Sequence, residues 1–221
     1  MSQLPIAFDE HGLVPVIVQD RLTGEVRMFA FATSQAVRMT LDTGLATFWS
    51  RSRGELWQKG RTSGNEIRVD RVLVDCDSDC LLYLGEPRGN SCHTGAPSCF
   101  FQALEGEELT QASERPQTLL ATLETVLESR KTSTGAASYT KSLYDKGAPA
   151  IAAKIREEAG ELAAALEAES DDRVVSEAAD TLYHLLVGLR SRGLPLRRVL
   201  AELARRLGKS GHAEKASRPR T

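Results

Sequence analysis

Long apolar runs are missing from this 221-residue chain. None approaches the roughly 18–20 residues that a membrane-spanning helix requires. The first residues, MSQLPIAFDE, offer no basic region followed by an apolar stretch. A secretory signal is therefore not expected, and the cytoplasm is the default compartment. Strong charge of either sign is missing too. Lys and Arg number 28 against 30 Asp and Glu, a net charge of −2, which argues against general nucleic-acid or membrane-surface binding. Cysteine is scarce, with four residues, Cys76, Cys80, Cys92 and Cys99. A reducing compartment favours metal-bound thiolates or free thiols over disulfides, with buried inert cysteines as the other reading. What is present is ordinary for a globular protein. Hydrophobic residues make up 41% and charged ones 26%, and the length allows two modest domains, each with its own core.

The hydrophobic period changes along the chain. Val14–Val18 is a short β-branched run, Asp20–Gly24 a turn, and Glu25–Ala32 alternates again, which predicts a hairpin. Thr33 or Ser34 caps a helix running to Asp42, with Gly44 just past its end. Thr47–Trp49 and Leu56–Trp57 flank Ser52-Arg53-Gly54, a second hairpin signal. Glu66–Val74 and Leu81–Leu84 read as further strands. One helix among many strands gives an α+β domain over 1–107. Glu105–Pro116 is polar and without a core pattern, and reads as a linker. Beyond it the period is helical. Pro116–Ser129, Ala148–Ala168, Asp171–Arg190 and Leu196–Leu207 predict an all-α domain over 112–221, with Lys131–Ala137 a loop and a basic tail from Lys209.

The N-terminal half carries two clusters with metal-ligand chemistry. Asp75, Asp77 and Asp79 follow the strand at alternate positions, so an extended chain would put them on one face. Such oxygens suit magnesium, although a bare D-x-D-x-D run is equally a solvated turn. Cys76 would point to the opposite face. Cys92 and Cys99 lie in the loop Asn90–Cys99. Three thiolates plus one water would make an open zinc site, in which the metal lowers the water pKa towards ~7. His93 reads either as a proton carrier or as a structural hydrogen-bonding residue. Arg51, Lys59, Thr62 and Ser63 lie around a glycine-containing turn of the kind that holds a phosphate, or form an exposed charged hairpin.

Taken in order, these motifs become specific. W49-S-R-S-R-G-x-L-W, K59-G-x-T-S-G-N, D75-C-D-x-D and C92-H-T-G-x-x-S-C99-F resemble phosphoribosyl-AMP cyclohydrolase, the third-step enzyme of histidine biosynthesis. The resemblance covers about residues 13–101. It implies zinc on Cys76, Cys92 and Cys99 and magnesium on Asp75, Asp77 and Asp79. It also implies an obligate homodimer whose zinc site is shared between subunits. Cys80 falls outside the family pattern and reads as a buried apolar residue. Gln58 stands where such proteins frequently have histidine. The chemistry suits the residues, because water added at C6 of an N1-ribosylated adenine, followed by proton transfer, opens the ring. The H-x-E and P-C-x-x-C signature of zinc deaminases is absent.

In the C-terminal half, Glu161 lies three and four residues from Glu158 and Glu157, on one helix face, and Glu177 and Asp180 repeat the spacing on the next helix. Five carboxylates aimed at one point repel unless a cation such as magnesium joins them, whereas two solvated helix faces need none. Ser138-Tyr139-Thr140, K154-x-x-E-E-x-x-E161, E177-A-A-D-x-x-Y-H-L-L186 and the tail from Gly208 to Arg218 resemble phosphoribosyl-ATP pyrophosphohydrolase. That is the second-step enzyme of the same pathway, and it belongs to an all-α group of nucleoside-triphosphate pyrophosphohydrolases. The resemblance implies attack of water on the α/β anhydride, with Glu161 central to catalysis and Lys154, Lys209, Lys215 and Arg218 near phosphates. The expected whole is a fused enzyme for two consecutive steps, using zinc and magnesium, acting on small nucleotides and on neither nucleic acid nor membrane. Two rivals remain, a general nucleotide-pyrophosphate hydrolase fused to a zinc domain, and a zinc-stabilised dimerisation module with a helical interaction bundle.

Overall fold

Val14, Val16 and Val18 alternate with Pro15 and Ile17, and strand β1 (Leu13–Asp20) turns these three valines into a core. In the computed structural model, which describes residues 4–112, 116–133 and 138–207, this core lies in the first of two compact units, Met1–Thr118 and Leu119–Thr221. Strands β2 (Val26–Thr33), β3 (Thr47–Ser50), β4 (Glu55–Gln58), β5 (Ile67–Val74) and β6 (Leu81–Pro87) complete a six-stranded sheet in the order β4-β3-β2-β1-β6-β5. β1 runs parallel to β6, and the other neighbours are antiparallel. Leu45, just ahead of β3, forms a bridge with Arg68 of β5, so the sheet curls back on itself. Phe48, Tyr83, Ile67 and Met28 fill the space it encloses.

One helix, α1 (Ser34–Thr43), covers this unit. The Thr33 side chain accepts the Ala36 N–H at its start, and Gly44 closes its end at φ 68°. Gly60, after β4, has φ 83°, and a Cβ there would lie 2.3 Å from the Glu66 nitrogen. Only glycine lets the Lys59–Asn65 turn fold back this tightly.

The segment expected to be a linker, 105–116, instead holds most of a further hairpin. β7 (Gln102–Glu105) pairs with β8 (Glu108–Gln111) around Gly106, and Pro116 accepts a hydrogen bond from the Val26 N–H. The strands are short and mostly exposed, so no core-facing alternation announces them. Cys80 is also not buried as expected. It is half-exposed at the mouth of the 75–80 turn.

The second unit is helical throughout its described residues, as expected. It comprises α2 (Leu119–Arg130), α3 (Tyr139–Lys146), α4 (Ala148–Ala168), α5 (Asp171–Ser191) and α6 (Leu196–Arg206). α3 was not anticipated. Its eight residues are too few to show a period, but Ser138 caps it and Gly147 ends it. Ser170 caps α5, and Asp171 and Asp172 sit in its first turn, where the helix dipole favours anions. Leu127, Leu143, Ile151, Leu186 and Val187 form the core. Among the described residues no helix is long and apolar enough to cross a membrane.

Candidate functional site

α4 and α5 carry the acidic residues. Glu158 projects from α4, and Glu177 and Asp180 project from adjacent turns of α5. One carboxylate oxygen from each of these three lies within 4.8 Å of the others. Glu161 is exposed and stays outside this trio, close enough to Glu177 to repel its charge. Glu157 stays exposed and pairs with Lys154 at 3.0 Å, and Lys154 also meets Glu158 at 2.9 Å. Glu177 is 2% exposed, with one oxygen 2.7 Å from Arg173 and the other, Oε2, buried without a partner among the described residues. Burial raises its pKa first, and repulsion from Glu161 and Asp180 adds to this against the pull of Arg173. An orphaned buried carboxylate oxygen among converging acids fits a hard divalent cation such as magnesium.

Two residues that sequence reasoning did not place in the site belong beside it. His184, one turn beyond Asp180, is buried, with Nδ1 2.9 Å from the Asp180 carbonyl and 3.7 Å from Glu158. A proton on Nδ1 bonds that carbonyl and leaves Nε2 to accept the Tyr139 hydroxyl at 2.9 Å. Thr140 and Tyr183 share a 2.6 Å hydrogen bond alongside. α3 is thereby stitched to the acidic face of α5. The signal for this lay in the S138-Y-T and Y183-H motifs.

In the first unit, Asp75, Asp77 and Asp79 also converge, with donor atoms within 4.8 Å of one another and all three exposed. The mechanism is not the alternation of an extended strand. The chain turns back on itself, with Cys80 N–H donating to Asp75 Oδ1 at 3.0 Å, and Ser78 adopts φ 66°. Asp77 raises the pKa of Asp79 through like-charge repulsion, with smaller contributions from desolvation and Asp75.

The loop between β6 and β7 holds Cys92 and Cys99, whose sulfurs are within hydrogen-bonding reach of each other. Burial opposes ionisation of Cys92, but hydrogen bonds from Thr94, Cys99 and the His93 backbone outweigh it and its pKa falls. Thr94 Oγ1 donates to the Cys92 sulfur at 3.1 Å. Cys99 is exposed as a residue, yet desolvation of its sulfur, and then Cys92, push its pKa up to about 11 against the pull of Lys59 and Arg27. Paired sulfurs with cations behind them suit zinc, which binds thiolates. Cys76, exposed beside Asp77, does not join them. Among the described residues, no three-donor cluster in a single chain contains a cysteine.

The remaining predicted residues are dispersed. His93 is exposed, with Nδ1 3.9 Å from the Cys92 sulfur. Arg51 lies 4.1 Å above the Phe31 ring, and Thr62 and Ser63 are exposed in the Gly60 turn. Lys59 is buried and donates to the Asn65 carbonyl at 3.0 Å, next to the cysteines rather than out among the hydroxyls. Burial lowers its pKa first, while Cys99 and Cys92 raise it. Gln58 ends β4 opposite Thr47. Lys209, Lys215 and Arg218 lie outside the described residues.

A curled sheet with thiol and carboxylate clusters, joined in one chain to a helical unit with a converging acidic face, defines a fused pair of hydrolases. Residues 28–101 match the phosphoribosyl-AMP cyclohydrolase family, and residues 120–207 match the phosphoribosyl-ATP pyrophosphohydrolase family. The chain belongs to the bifunctional histidine-biosynthesis proteins that join these two activities. It is 43% identical to the histidine biosynthesis bifunctional protein HisIE of Wolinella succinogenes over 219 residues, covering 96% of each chain. The HisIE protein of Aquifex aeolicus is 41% identical across 92% of this chain and 98% of its own. That of Pyrococcus furiosus is 42% identical across 89% and 92%.

Proposed function

We propose that the helical unit hydrolyses phosphoribosyl-ATP to phosphoribosyl-AMP and pyrophosphate, and that the sheet unit then opens the adenine ring of phosphoribosyl-AMP at N1–C6. The convergence of Glu158, Glu177 and Asp180 around a buried carboxylate oxygen that has no partner among the described residues carries this reading for the first step. These three residues and Glu161 would hold magnesium, with Glu157 at the exposed margin. Glu161 aligns the attacking water. Lys154, held by Glu157 and Glu158, meets the phosphates.

In the sheet unit, Cys92 and Cys99 would hold zinc together with Cys76 of a second copy, and Asp75, Asp77 and Asp79 would hold magnesium. When bound, the metals supply a water nucleophile at neutral pH and charge neutralisation at phosphate oxygens. The separation of Cys76 from the other two thiols within one chain supports a shared site. So does an apolar outer sheet face. Ile17 pairs with Phe29 across β1 and β2 and, through Leu82, shares its face with Leu73, two residues ahead of Asp75, and all three of Ile17, Phe29 and Leu73 are exposed. His93, exposed beside Cys92, carries the proton in ring opening. Arg51, Thr62 and Ser63 take the substrate phosphate, and buried Lys59 contributes positive charge behind the thiolates. A cytoplasmic setting would keep the four cysteines reduced.

Product analysis of the whole chain supplied with phosphoribosyl-ATP tests the proposal. Pyrophosphate and ring-opened product should both appear. Equally fast cleavage of ordinary nucleoside triphosphates, without ring opening, would favour a general pyrophosphate hydrolase instead.

A further inference from the structure

We propose that Arg27, at the start of β2, is a positioning residue that clamps both shoulders of the cysteine loop and so holds Cys92 and Cys99 together for zinc. The inference rests on the zinc reading above.

The loop from Asn90 to Cys99 has no regular secondary structure, and its internal bonds tie only its own two sides together. Ser91 N–H donates to the Pro97 carbonyl at 3.1 Å, and Cys92 N–H donates to the Ala96 carbonyl at 3.1 Å. Nothing in that set fixes the loop to the sheet. The first residues of β2 do so. Arg27 is 7% exposed, and its guanidinium reaches the loop's entry, with Nε donating to Ser91 Oγ at 3.1 Å and Nη2 to the Gly89 carbonyl at 2.8 Å. Its own carbonyl accepts the Cys99 N–H at 2.9 Å, and the neighbouring Val26 carbonyl accepts the Ser98 hydroxyl at 2.7 Å. One residue thus grips the chain just before Cys92 through its side chain and at Cys99 through its backbone carbonyl.

The remaining guanidinium nitrogen, Nη1, pairs with Glu25, which is 5% exposed. That pair orients the fork. A carboxylate on one side leaves Nε and Nη2 aimed at the loop, and the planar guanidinium serves all three directions at once, which an ammonium on a flexible stem cannot do. An ion pair serving only the stability of the fold would not need two further bonds to the entry of a thiol-bearing loop. A preorganised pair of ligands binds metal without having to order the loop first.

The test uses the full-length chain, stripped of metal and titrated with zinc against a competing chelator. Its variants are Arg27→Met with Glu25→Gln, so that no buried charge is left alone, and Arg27→Lys. The double variant should stay folded by near-ultraviolet circular dichroism, keep its pyrophosphate release, and lose about tenfold or more in zinc affinity. Cobalt substitution should show a weakened thiolate charge-transfer band, and Arg27→Lys should recover part of both signals. A folded double variant with wild-type zinc affinity and an unchanged cobalt spectrum overturns the proposal. Should the double variant not fold, Ser91→Ala, which removes one acceptor, decides the matter. A loss of about threefold, the worth of one hydrogen bond, supports the clamp, and none overturns it. Absence of zinc binding by the wild type, or its persistence in Cys92→Ser, would overturn the zinc reading itself. A loss of zinc in Cys92→Ser alone would leave that reading intact and sink only the role of Arg27.

Discussion

Glu177 carries an electrostatic conflict, a buried carboxylate with one oxygen on Arg173 and the other on nothing among the described residues. Its neutral isostere should lose magnesium. Glu177→Gln and Glu161→Gln should each slow pyrophosphate release by about 10²-fold or more, since each removes charge where the phosphoryl centre must be stabilised. Calorimetric titration with magnesium should show weakened binding in both, and a wild-type response in either would remove that residue from the site. The cysteines give a second set of expectations. Cys76→Ser, Cys92→Ser and Cys99→Ser should each abolish zinc content and ring opening, while Cys80→Ser keeps both, as metal analysis would show. At this scale the sequence was informative about residue type and spacing, so the carboxylates and thiols could be named. Tyr139 and His184 stood in the quoted motifs without an assigned role, and Arg27 and Arg173 stood in none, because each acquires its role only when tertiary packing brings it against a neighbouring side chain or a loop. The Asp75 turn was one of two readings that spacing left open. Period-two spacing implies a shared face only in an extended chain, and here a left-handed Ser78 gathers the acids instead.

Between elements, Arg190 of α5 grips α2 through Glu124 at 3.4 Å and Glu128, and Glu124 also accepts the first backbone N–H of α6 at 2.6 Å. The hydrogen bond from Lys131, helped by Arg190, outweighs the cost of desolvation and holds Glu128 below its ordinary pKa. The sign follows from proton counting. The unfolded chain, titrating near ~4.3, binds more protons than the folded one in the interval between the two pKa values. The stabilisation is therefore complete above that value and is lost as pH falls through the folded pKa. Glu128→Gln should lower the unfolding free energy at pH 7 by under about 1 kcal/mol because the pair is partly exposed, seen as a slightly lower melting temperature, and the gap to wild type should close as the solution is acidified. A gap that widens in acid would contradict the pairing. The long helices α4 and α5 were legible because 21 residues repeat an apolar stripe several times. The eight-residue α3 and the β7–β8 hairpin were not, because their identity rests on caps and pairing partners rather than on a buried period.

For the whole molecule, the position of the junction matters. The contacts of β8 and Pro116 tie the chain to the first unit up to Thr118, so fragments cut between 118 and 119 should each fold and keep their own activity. A fragment ending at 107 gives up β8 and the Pro116–Val26 bond, and should melt earlier than one ending at 118. Separate sites also imply a separable reaction order. Glu161→Gln disables the acidic cluster without touching a thiol, so that variant should leave phosphoribosyl-ATP unconsumed yet open supplied phosphoribosyl-AMP. Cys92→Ser disables the thiol site alone, so it should release pyrophosphate at the wild-type rate and accumulate phosphoribosyl-AMP. An intermediate free to diffuse passes from one protein to the other, and mixing the two variants should restore ring-opened product from phosphoribosyl-ATP. Chromatography of the three reactions decides the point. Failure of the folded Cys92 variant to release pyrophosphate would mean that the two steps do not reside in separate units.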